Sequence, residues 1–126
     1  MTPDLDLRTA DGRTWFRPGE VIQGEASWQL DEDAEVVEIR LFWYTSGKGT
    51  RDVEVVDSQR TASAGSSGSR SFSLRVPDGP YSFSGTLITL SWAIELVVDP
   101  GGATERLDLI VAPRPVEVQL PEPVDD

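Results

Sequence analysis

The sequence predicts an all-β protein, an antiparallel β-sandwich of about seven or eight strands. Three observations carry this. Apolar residues recur with period two along nearly the whole chain, which is the side-chain repeat of a strand. Turn residues interrupt the runs every dozen or so positions. No segment shows i, i+3, i+4, i+7 spacing with a cap, so helix is not supported.

Each run can be justified in order. Leu5 and Leu7 alternate with Asp4, Asp6 and Arg8. Ala10 to Arg13 and Arg17-Pro-Gly-Glu20 read as turns. The second launches Ile22, Gly24, Ala26, Trp28 and Leu30 on one face, with Gln23, Glu25, Ser27 and Gln29 on the other. Asp31 to Glu35 is an acidic connector. Val37, Ile39, Leu41 and Trp43 then share a face, while Glu38, Arg40, Phe42 and Tyr44 take the opposite one. Ser46-Gly-Lys-Gly49 ends that run, and Val53 and Val55 suggest another strand. Thr61 to Arg70 is small and polar and reads as a mobile loop. Phe72, Leu74 and Val76 alternate up to the break at Pro77-Asp-Gly-Pro80.

The run from Gly85 to Asp99 places Ile88, Leu90, Trp92, Ile94, Leu96 and Val98 on one face. At about 3.3 Å per residue it would reach roughly 50 Å, so it is expected to bend, bulge or change sheets. Pro100-Gly-Gly102 turns the chain, and Leu107, Leu109 and Val111 pair back, with Asp108 and Ile110 facing out. The expected organisation is one sandwich domain over 1–112. Residues 113–126 follow as a Pro-flanked C-terminal arm or edge strand with an acidic end. In that arm Val116, Val118 and Leu120 alternate between prolines, which suits an edge strand and not a central one.

Two stretches resemble the arrestin family. Pro80-Tyr-Ser-Phe-Ser-Gly85, leading into Ile88-Thr-Leu-Ser-Trp92, is similar to the family's Pro-x-Ser-x-x-Gly turn before a long strand. Phe16-Arg-Pro-Gly-Glu-Val-Ile-Gln-Gly24 looks like its aromatic-x-Pro-Gly-acidic-x-x-x-Gly opening strand, in the same order along the chain. The resemblance implies an immunoglobulin-like sandwich of the arrestin amino-terminal type. It also implies an adaptor or scaffold role in binding partner proteins, often membrane-associated. The chain departs from the pattern in having length for one sandwich where arrestins usually have two. It also has no basic cluster in sequence to read a phosphorylated tail, its Arg and Lys being scattered singly.

Composition narrows the function. The 126 residues carry 22 acidic against 11 basic side chains, a net charge of -11, which disfavours nucleic acid and anionic membrane surfaces. With no His and no Cys, the common nucleophile pairs and the zinc, copper and iron ligand sets are missing. Any catalytic site would have to use carboxylates, Lys48, Tyr44, Tyr81 or hydroxyls. The first residues have neither a basic nor an apolar region of a signal peptide, and no run spans a bilayer, so the expected location is cytoplasmic.

Local motifs read as structure. Asp31 to Glu35 lacks the spacing and glycine of a calcium loop. Gly47-Lys48-Gly49 lacks the rest of a phosphate loop, and Ser82 has no base partner as a nucleophile. Trp28, Trp43 and Trp92 fall in phase with the core faces, which leaves Trp15 as the exception to a buried set. No catalytic residue, cofactor or metal is expected.

The expectation is therefore a non-enzymatic protein-interaction or scaffold module that binds a protein partner or self-associates through strand edges. Its candidate partner-binding residues are Phe42, Tyr44, Val116, Val118 and Leu120. Phe42 and Tyr44 qualify if exposed, and fail if a loop or the tail buries them. Val116 to Leu120 fits equally well as an added strand on another chain or as an edge of its own sandwich. The alternative function is a sandwich that binds carbohydrate or another small ligand through exposed aromatics.

Overall fold

The computed structural model describes residues 3–47, 51–85 and 88–114, and the backbone of 118–119. Eight strands occur among them: β1 (Asp4–Thr9), β2 (Trp15–Phe16), β3 (Val21–Gly47), β4 (Val53–Arg75), β5 (Phe83–Ser84), β6 (Ile88–Asp99), β7 (Thr104–Val111) and β8 (Val118–Gln119). A single 3-10 turn, Ala10–Gly12, follows β1.

β3 and β4 build both layers. The first half of β3, Val21 to Gln29, lies between β1 and the end of β4. Its second half, from Val36, lies between the start of β4 and β6. The register slips between Gln29 and Val36, where Ala34 meets Gly65, and there the hairpin passes from one layer to the other. Positive φ at Ser63 (52°) and Gly65 (75°) supplies the bend on the β4 side. In the second layer the far side of β6 is shared, with β5 pairing Leu90 and Thr89 and β7 pairing Trp92 to Val97. Most pairs are antiparallel, but β2 runs parallel to β7 and β8 parallel to β5.

The core fills the space between the layers. Ile22, Ala26, Trp28, Phe72 and Leu74 come from one, and Ile39, Leu41, Trp92, Ile94, Leu96 and Val111 from the other. The expected alternation is observed in β3, β6 and β7, apart from Ile88, which is 44% exposed.

Three expectations need correction. The over-long strand is not the run to Asp99, since β6 has 12 residues. The long strands are β3 with 27 and β4 with 23. The reason is that Asp31 to Glu35 is not a separate connector: its backbone continues β3 through the layer change, and Ala34 is buried there. Nor is Thr61 to Arg70 a loop. It lies within β4, and its small side chains are what the position requires. Gly68 sits opposite Trp28, where a Cβ would lie 2.8 Å from the indole ring. The Trp28 indole N–H donates to the Ala64 carbonyl at 3.3 Å. Small residues here mark a strand beneath a tryptophan.

Ser82 finds its hydrogen-bond partner across the fold, on β7. It is buried, its N–H donates to the Val111 carbonyl (2.7 Å), and its Oγ accepts from the Val111 N–H (2.9 Å). The Trp92 indole N–H donates to the Pro80 carbonyl at 3.0 Å. The Pro80–Gly85 segment thus fastens the end of β7 to the start of β6. The Arg17–Glu20 turn forms as expected, with Glu20 N–H to the Arg17 carbonyl (3.1 Å) and Gly19 at φ 86°, as a Pro-Gly type II turn requires.

Candidate partner-binding face

Because Ile39 and Leu41 point into the core, Arg40, Phe42 and Tyr44 of β3 point outward from the second layer. Register sets their neighbours. Phe42 is flanked by Val55 of β4 and Ala93 of β6, and Tyr44 by Val53 and Ser91. Glu95 lies between Arg40 and Arg106 of β7. Together with Arg51 these side chains, apart from Ala93 and Ser91, line a recess of about 450 Å³.

Arg106 decides how much of the recess is apolar. Its guanidinium lies 5.2 Å from the Phe42 ring centroid and 5.0 Å from that of Tyr44, and Nε is 3.9 Å from Glu95. The two rings are 6.0 Å apart and tilted by 31°. Phe42 is consequently only 6% exposed and Tyr44 half-buried. Exposure of the aromatic pair was the condition for an interface role, and Phe42 does not meet it. Among the described residues the cover is an arginine from β7, drawn to the rings' negative faces. Within the recess, the apolar side chains that do face solvent are Val53 (67%) and Val55 (48%). Sequence alternation found their strand, but it could not show that no layer covers them.

The edges of β4 differ along its length. Near its end the edge is closed by its own first half: Asp57 Oδ2 accepts from the Arg75 N–H at 2.8 Å, Gln59 Nε2 donates to the Ser71 carbonyl at 2.9 Å, and the Ser73 N–H donates to Gln59 Oε1 at 3.3 Å. Gln59, Ser71 and Ser73 also line a larger recess of about 670 Å³, where these polar groups are already engaged with one another. Over Val53 to Val56, β4 has no strand neighbour other than β3 among the described residues.

Basic residues also converge where the sequence spaces them apart. Arg13 and Arg17 lie 5.5 and 5.0 Å from the Trp15 ring, and the Trp15 indole N–H donates to the Ala112 carbonyl at 2.9 Å. Glu20 accepts from Arg13 at 2.6 Å and from the Arg17 N–H at 2.7 Å. The Arg13 contact, then the Arg17 N–H, hold the Glu20 carboxyl below its ordinary range. This cluster pins the turn before β3 to the end of β7.

Of the other expected site residues, Val116 and Leu120 lie outside the described residues, as does Lys48. Val118 is described in its backbone, paired with Phe83 of β5. Trp28 and Trp92 are buried, and Trp43 is half-buried against the core, so these three form no surface platform. Among the described residues no group of three or more Asp or Glu side chains converges as a metal site, and no helix is long and apolar enough to cross a membrane.

No protein-family model and no curated protein sequence matches the chain. Among solved structures, Spo0M, the sporulation control protein from Bacillus subtilis, is similar to it with a TM-score of 0.55 and 15% sequence identity. Spo0M is an arrestin-like fold protein. The fold is an arrestin-like β-sandwich. The match covers 89% of this chain and 50% of Spo0M, so the chain spans about half that protein's length. At this identity the likeness establishes fold alone.

Proposed function

We propose that the chain is a non-enzymatic interaction module that binds a protein partner through the outer face of its second layer. One observation carries this reading: Val53 and Val55 stand exposed beside an aromatic pair roofed by an arginine. Apolar side chains grouped with Arg, Phe and Tyr are the composition of interface centres, and a grouped apolar patch is uncommon on a surface with no partner. The lack of His and Cys supports the non-enzymatic part. Similarity in fold to a sporulation control protein is consistent with a regulatory role.

The test compares wild type with the double variant Val53→Ser/Val55→Ser as bait in extract from the native host, read by mass spectrometry. Both side chains are largely outside the core, so the variant is expected to fold. The expected result is a protein recovered by wild type and lost by the variant. Equal recovery by both baits would overturn the assignment of this face.

A further inference from the structure

We infer that the occupant of this face is an extended acidic segment of a partner protein, added as a strand to the open edge of β4 at Val53–Val56; this rests on the interaction reading above. The edge is closed by Asp57 and Gln59 where β4 runs in the first layer, and among the described residues it is open where it borders the recess. Natural sheets blunt their edges, so an edge blunted over one half only leaves the other for pairing. A strand added there forms main-chain hydrogen bonds with β4, and every second side chain lies over the Arg51, Val53 and Val55 face.

Charge selects the segment. The recess is lined by Arg40, Arg51 and Arg106 against one carboxylate, Glu95, in a chain whose net charge is -11. Arg40 is held by Glu38 at 2.6 Å and Arg106 lies beside Glu95, whereas Arg51 is exposed and has no ion-pair partner among the described residues. Arg51 is therefore the group that receives a carboxylate, and Val53 and Val55 receive apolar neighbours. A second copy pairing this edge with the same edge, antiparallel across Val53–Val56, would set Arg51 opposite Ser58 and not a carboxylate, and would bring together two chains of net charge -11, which disfavours that occupant.

The experiment is fluorescence anisotropy of wild type with a dye-labelled peptide of alternating valine and glutamate. Binding is expected, weakening as salt rises because the contacts are exposed. Arg51→Gln should weaken it roughly two- to fivefold, the range for one exposed charge contact. A peptide N-methylated at alternate residues, or one with lysine for glutamate, should bind at least about tenfold more weakly, since either loses several contacts together. Equal binding by either control, or no effect of Arg51→Gln, overturns the inference. A peptide copying residues 115–124 provides the remaining arm: tighter binding by it, with a dimer in light scattering, overturns the partner assignment in favour of a second copy. If the acidic peptide does not bind yet the Val53→Ser/Val55→Ser bait loses its partner, only this inference falls. If that bait also keeps its partner, the interaction face falls with it.

Discussion

Replacing Ser82 with alanine should destabilise the whole sandwich, although it removes one oxygen far from any expected chemistry. The Val111 N–H donates to Ser82 Oγ at 2.9 Å, and Val111 is fully buried. In the variant that N–H keeps its desolvation and loses its acceptor, which costs about 1–3 kcal/mol. The Ser82 N–H to Val111 carbonyl bond at 2.7 Å remains, so the segment stays docked and the loss does not spread. For 126 residues, an unfolding entropy of about 2.1 cal/mol/K per residue turns this into a fall in Tm of roughly 4–11 °C. Scanning calorimetry on wild type, Ser82→Ala and the half-buried control Ser84→Ala measures it. Amide exchange should also show Val111 losing protection ahead of the β3–β6 ladder. If Ser82→Ala unfolds within about 0.5 kcal/mol of wild type, as ordinary surface changes do, the motif is not the clamp described here.

Gly68→Ala places a methyl against the buried Trp28 ring, at 2.8 Å, and should cost about 1–3 kcal/mol in denaturant titration. Gly24→Ala should cost more, because its Cβ would clash with the Arg8 carbonyl oxygen, which is backbone and cannot swing aside. Glu20→Gln should remove stability at neutral pH and little at low pH. A carboxyl held low by Arg13 and the Arg17 N–H stabilises the fold above its unfolded pKa and loses that contribution as pH falls through the folded one. Wild-type and variant unfolding curves should therefore converge in acid. Arg106→Ala should lower stability by only about 0.5–1 kcal/mol while uncovering Phe42, detectable as a rise in binding of a hydrophobic dye.

Much of the fold was legible because strand alternation is local. Each of Ile22, Ile39, Leu74, Leu96 and Val111 falls in phase with its neighbours, whatever lies across from it. The layer change was not legible, since it depends on what Trp28 meets. A tryptophan at the centre of one strand demands a gap in the next, and the sequence writes that gap as Ser, Gly and Ala, the vocabulary of a loop. Acidic residues from Asp31 to Glu35 mislead in the same way: side chains that face water say nothing against a backbone that stays paired. The candidate face was half legible. Alternation turned Phe42 and Tyr44 outward, but the arginine that roofs them comes from β7, brought there by register across β6. Ser82 likewise found its partner on a strand with which it has no sequence relation.

The magnitudes also favour strand pairing over simple apolar contact at this face. Fully burying a valine is worth about 1.5–3 kcal/mol, and Val53 and Val55 are already partly covered. Together they offer no more than about 2–4 kcal/mol, which does not exceed the roughly 4–15 kcal/mol of lost translational and rotational freedom on association. A flat apolar partner resting on them would not hold. Further contributions must come from groups that the same geometry brings within reach. The backbone of β4 at 53–56 supplies hydrogen bonds in series, and Arg51 supplies a charge at the end of that row. A short segment that takes up only the valines should therefore fail to bind, and one that also runs along the strand should succeed. The dependence of affinity on peptide length would then rise with each added main-chain bond. Were affinity instead to saturate at the two residues that cover Val53 and Val55, strand pairing would be the wrong description of this edge.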